Sequence, residues 1–159
     1  MDFPSGRLNL YLTEIGEPTD NELRLVVWEA SPGGETVFDA SPLRVTNVHP
    51  LEVTNYTRIF EIMWRQYVAY SVRNESYWWR EEGEPKFSSH LYRRSESAFL
   101  QYVSATTFAN DEYPGPLQHW ALTTLHHCVD VVTNEPPQLR LLSPEEAGRR
   151  PTSLVFVKG

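Results

Sequence analysis

Residues 58–79 read RIFEIMWRQYVAYSVRNESYWW, seven aromatic rings among a few charges with no glycine or proline. Burial is what stabilises so dense a run, since each buried ring removes roughly 150–250 Å² from water. The segment is therefore expected at the centre of the fold. Two local structures fit it. On a helix, Ile59, Ile62, Met63, Gln66, Tyr67 and Tyr70 would share a face. On a hairpin, Phe60, Ile62 and Trp64 would share one side, and Tyr67, Ala69, Ser71 and Arg73 would alternate with Val68, Tyr70, Val72 and Asn74. Aromatic and β-branched residues suit a pleated surface better than the crowded turn of a helix, so the hairpin is favoured, although Arg65-Gln66 is a weak turn signal.

Strand patterning continues on the N-terminal side. Leu8, Leu10 and Leu12 alternate, Gly16 to Asn21 supplies turn residues, and Leu23, Leu25 and Val27 alternate again. This predicts a hairpin of about 7–14 and 22–30, closed by Ser31-Pro-Gly-Gly34. Short strands are expected at 36–38 and 44–48. On the C-terminal side a polar loop at 80–89 precedes a short strand at 91–94. A helix over about 96–107 follows, with Ser95 or Ser97 as N-cap and Phe99, Leu100, Tyr102 and Val103 as its apolar face. Tyr113-Pro-Gly-Pro116 stops it. In 118–132, Leu122, Leu125, Val129 and Val132 match a helical stripe while Val129, Val131 and the threonines also suit a strand; it is placed as one long strand, with further strands at 138–142 and 153–157. The whole predicts one α+β domain over 1–159, mainly antiparallel β-sheet with one principal helix packed on it.

The 159 residues carry 21 Asp and Glu against 14 Lys and Arg, a net charge of -7. That balance disfavours nucleic acid as a partner and suits a basic protein. A single cysteine leaves no internal disulfide and no multi-cysteine zinc site, and neither a metal nor a cofactor is expected. The start MDFPSGRLNLYL lacks a basic region followed by an apolar core. No stretch reaches the roughly 18 apolar residues of a membrane helix. A cytoplasmic protein without membrane contact is the expectation.

Chemistry concentrates in His119, His126, His127, Cys128 and Asp130. In a strand, His126, Cys128 and Asp130 would project to one face with alternate Cα atoms about 6.6 Å apart. A thiol beside an imidazole is the makings of a nucleophile and base, which keeps a thiol-dependent hydrolase in view, but no oxyanion donor is evident and a structural role outweighs it. The histidine spacing does not suit one metal ion. Arg73, Asn74 and Glu75 end the aromatic run, either as a structural charge pair or as ligand contacts beside an aromatic wall in a small-molecule site. Tyr77, Trp78 and Trp79 cannot all face one core, so at least one ring is expected to meet solvent or a partner. Glu81, Glu82 and Glu84 add negative potential that would steer a basic partner.

The stretches RIFEIMWRQYVAYSVRNESY and YPGPLQHWALTTLHHCVDVVTNEPPQL, together under a third of the chain, resemble a group of small acidic bacterial single-domain proteins of unassigned function. The resemblance implies bacterial origin and a shared fold, and transfers no catalytic residue. Some small acidic bacterial proteins act as immunity factors that neutralise toxic enzymes. The leading expectation is thus a non-enzymatic binding protein of immunity or inhibitor type, docking a basic partner through an acidic loop and exposed rings. A small-molecule-binding domain is the alternative.

Overall fold

A computed structural model describes residues 2–77 and 89–159, among which eleven strands form a seven-stranded and a four-stranded sheet. The first hairpin forms as the alternation predicts: β1 (Asn9–Gly16) pairs antiparallel with β2 (Leu23–Pro32). A bulge between Leu12 and Glu14 shifts the register by one residue. Because faces alternate, that extra residue lets both Leu12 and Ile15 reach the core and turns Glu14 outward toward Arg24. β2 is central and covered on both faces, which is why Leu23, Leu25 and Val27 and also Val26 and Trp28 are fully buried.

A second hairpin, β3 (Thr36–Ala40) and β4 (Leu43–Glu52), joins β2 at Ser31 and Pro32. The ring-rich segment supplies two strands as expected, β5 (Ile59–Trp64) and β6 (Ala69–Asn74). They are not, however, a hairpin. β5 pairs with β2 and with β10 (Gln138–Leu141) in the large sheet, whereas β6 is the edge of the small sheet, beside β9 (His127–Thr133). Residues 65–68 carry the chain between sheets, consistent with the missing turn signal at Arg65-Gln66. Burial divides likewise: Ile59, Phe60, Ile62 and Trp64 are buried, while Tyr70, Val72 and Tyr77 are exposed.

The small sheet runs β6, β9, β8 (Gln118–Thr123) and β7 (Leu91–Arg94). The expected single strand over 118–132 is therefore a hairpin broken at Thr124–His126. There, Thr124 Oγ1 donates to the His127 carbonyl at 3.0 Å and accepts from the His127 N–H at 3.2 Å. A threonine hydroxyl substitutes for the glycine or asparagine that would have marked the turn. The principal helix, α1 (Ala98–Thr106), is capped by Ser97 and packs on β8 and β9. A short helix, α2 (Pro144–Ala147), opens with a reciprocal capping box between Ser143 and Glu146, and β11 (Phe156–Lys158) pairs with β4.

The main core lies between the sheets, where Leu23, Leu25, Val27, Phe60, Ile62 and Trp64 meet Leu91, Leu122, Val129 and Val131. A second cluster on the outer face of the large sheet gathers Tyr11, Val26, Trp28, Ile59 and Leu142 beneath Ala147 of α2. Charges cross that outer face in alternating sign. Glu14 pairs with Arg24, Arg24 Nε donates to Glu61 at 2.6 Å, Arg140 Nε donates to Glu61 at 2.9 Å, and Arg140 also reaches Glu146 at 2.8 Å. No described helix is long and apolar enough to cross a membrane.

Candidate functional site

Strand alternation sorts the small sheet into an apolar face toward the core and a polar face. Cross-strand partners share a face, so the register places Ser71 and Arg73 of β6 beside Asp130 and Cys128 of β9, then Ala121 and Thr123 of β8, then Tyr92 of β7. α1 packs over this side and brings Ser97 down onto it. The result is a buried relay. Ser97 Oγ lies 2.6 Å from His119 Nδ1, His119 Nε2 lies 2.8 Å from Asp130 Oδ1, and Arg73 Nη2 donates to Asp130 Oδ2 at 2.6 Å. Ser97, His119 and Asp130 are all buried, and Arg73 carries the relay to the surface.

Serine, histidine and aspartate in a row invite comparison with a hydrolytic triad, and the geometry decides against that role. In a triad the serine meets Nε2 and the carboxylate meets Nδ1. Here the two nitrogens are exchanged. Ser97 Oγ also accepts the Leu100 N–H at 3.0 Å as the helix cap, so its own proton is free to go to Nδ1, which leaves Nε2 carrying a hydrogen toward Asp130. Burial resists ionisation of Asp130, but the hydrogen bond from His119 and the charge of Arg73 outweigh it and hold the carboxyl below its usual range. Every side-chain polar atom of Ser97, His119 and Asp130 has a partner. The relay locks α1 to the sheet.

The Cys–His pairing read from the sequence is not formed. Cys128 and Asp130 do share a face, but His126 precedes β9 in the turn, exposed, with Nε2 3.1 Å from Ser153 Oγ and its ring against Tyr11. The Cys128 thiol is pushed up to about 11, first by burial and against the pull of Arg73, so it is not a thiolate at neutral pH. Arg73 is engaged by Asp130, and Asn74 Oδ1 accepts the Ser76 N–H at 2.9 Å. The expected pair of Arg73 with Glu75 is not formed: β6 ends at Asn74, Glu75 lies in the turn beyond it, and Arg73 pairs with Asp130 across the sheet. Tyr77 is exposed. Trp78, Trp79, Glu81, Glu82 and Glu84 lie outside the described residues.

Sequence reasoning missed the ring cluster that does meet solvent. Tyr67 and Tyr70 touch edge to face with centroids 5.0 Å apart, and Phe108 and Tyr113 stack within 9° of parallel at 6.2 Å. Tyr67, Phe108 and Tyr113 line a groove of about 410 Å³ that also presents Asn21, Gln66 and Asn134. Phe108 is 82% and Tyr113 67% exposed, far more than buried core rings tolerate. The Tyr67 hydroxyl donates to Glu17, which pushes its pKa up to about 12. Asp111 and Glu112, next to Tyr113 in the loop after α1, add further negative charge. The sequence signal was present in Phe108 and Tyr113 flanking polar residues outside any amphipathic pattern. Their convergence on Tyr67 is tertiary.

The sequence matches no protein-family model and no curated protein, and no solved structure matches the fold.

Proposed function

We propose that this chain is a non-enzymatic binding protein that meets a basic protein partner on the aromatic groove and along the exposed edge strand β6. The observation that carries the reading is the exposed rings of Tyr70, Phe108 and Tyr113 around the half-buried Tyr67, with Glu17, Asp111 and Glu112 nearby. Tyrosine and other aromatic anchors dominate binding energy at interfaces, and carboxylates around them select and steer a cationic partner. From Tyr70 at one end of β6 to Tyr77 beyond the other is roughly 20 Å, the scale of a standard interface. An immunity or inhibitor-type role is the specific form of this proposal, supported by small size, the charge of -7 and the resemblance noted above.

The test is capture of a partner from the source organism by the intact protein and by Phe108→Asp and Tyr113→Ser variants. One stoichiometric basic protein should be retained by the parent, released as salt rises, and bound at least about thirtyfold more weakly by either variant, the loss expected of a 2 kcal/mol anchor. Equal retention by all three would place the interface elsewhere. Because both side chains are exposed, unfolding midpoints should not change.

A further inference from the structure

On the outer side of β1, residues 149–153 form a strap across the turn that links β8 to β9. The strap is pinned at both ends. The Arg150 guanidinium lies over the Trp28 ring at 5.7 Å and reaches Asn55 at 3.4 Å, while the Ser153 carbonyl accepts from the Tyr11 hydroxyl at 3.3 Å and its Oγ meets His126 Nε2 at 3.1 Å. Between strap and turn is a cleft of about 510 Å³, within the ordinary range for small-molecule sites. Its chemistry runs against that of the whole protein. Arg149, Arg150, His126 and His127 all line it, and its one carboxylate, Glu14, is already paired with Arg24. Among the described residues Arg149 has no hydrogen bond or ion pair, and His127 Nδ1 is buried with no hydrogen-bond partner.

We propose that this cleft binds the phosphate group of a small organic phosphate, with Arg149 as the principal charged contact and His126 beside it. Guanidinium donors match phosphate oxygens two at a time, and two arginines with two imidazoles supply more donors than a single carboxylate would use. A cleft of one sign of charge with low-dielectric walls concentrates the opposite ion even when the protein as a whole is acidic. Burial and the neighbouring His126 depress the His127 pKa, and an anion bound beside it would offset both effects. The strap is held by contacts independent of Arg149, so the site is built before its ligand arrives and that side chain can be removed without loosening it.

The probes are adenosine monophosphate, inorganic phosphate, adenosine and citrate, followed by NMR of the histidine ring resonances and by calorimetry. Adenosine monophosphate and phosphate should shift His126 and His127 saturably, adenosine should not, and citrate should bind more weakly than the monophosphate. Arg149→Ala should weaken the monophosphate about tenfold or more while leaving the unfolding midpoint unchanged, and Arg93→Ala, outside the cleft on β7, should change neither. Absence of saturable shifts with the monophosphate, citrate binding as tightly, or unchanged affinity in Arg149→Ala would each overturn the proposal.

Discussion

His119 and Asp130 sit on neighbouring strands with Nε2 and Oδ1 2.8 Å apart, both buried, and through this bond a surface arginine and a helix cap belong to one polar chain. Removing the carboxylate leaves the buried His119 Nε2–H without an acceptor, and an unsatisfied buried donor costs about 1–3 kcal/mol. Asp130→Ala should therefore destabilise the protein by roughly 2 kcal/mol or more, measured by urea unfolding. A loss under about 1 kcal/mol, the scale of an exposed pair, would mean that water reaches the relay.

Ser97 should behave as a structural residue. Ser97→Ala removes both the cap of α1 and the partner of His119 Nδ1, for a cost of about 2 kcal/mol. A fluorophosphonate probe should leave Ser97 unlabelled in the folded protein. Stoichiometric labelling there would show Ser97 to be a nucleophile and overturn the structural assignment.

Acid should unfold the protein through identifiable carboxylates. Hydrogen bonds and charge from Arg140, opposed by burial and reinforced by Arg24, hold the Glu61 pKa low, as His119 and Arg73 do for Asp130. For a group whose native pKa is depressed, the stabilisation is complete above the unfolded value, about pH 4, and is lost as pH falls through the native one. Urea midpoints should hold above about pH 5 and fall steeply below pH 4, with a shallower slope in Glu61→Gln and Asp130→Asn. An unchanged slope in both variants would assign acid sensitivity to other groups.

Cys128 should be inert. With the thiol pushed up to about 11 and the residue buried, alkylation at pH 7 should run at least about a hundredfold slower in the folded protein than in denaturant. Rapid folded-state modification would show an opening of the β6–β9 edge.

Much of the architecture was legible in order along the chain. The first hairpin, the strands at 36–48, 91–94 and 138–142 and the helix capped by Ser97 follow from alternation, turn residues and a hydroxyl placed before an apolar face. Two misreadings have separate causes. Residues 59–64 and 69–74 are strands as their composition demands, but composition does not say which edge a strand will join. At 124–126 the turn is made by a threonine side chain, so the continuous apolar pattern concealed a hairpin. Reading that hairpin would have set His119 near Asp130. Ser97 would still have been missing, since only packing of α1 brings it there.

Local preference and hydrophobic period act over a few residues, and they settled which segments are strands, where the helix begins, and that the protein is acidic with one thiol. Sheet membership, the exchange of Cys128 and His126 for Ser97, His119 and Asp130, and the gathering of Tyr67, Phe108 and Tyr113 belong to tertiary structure. Those outcomes depend on pairings between residues tens of positions apart, whose free energy is realised only when two sheets close on a common core.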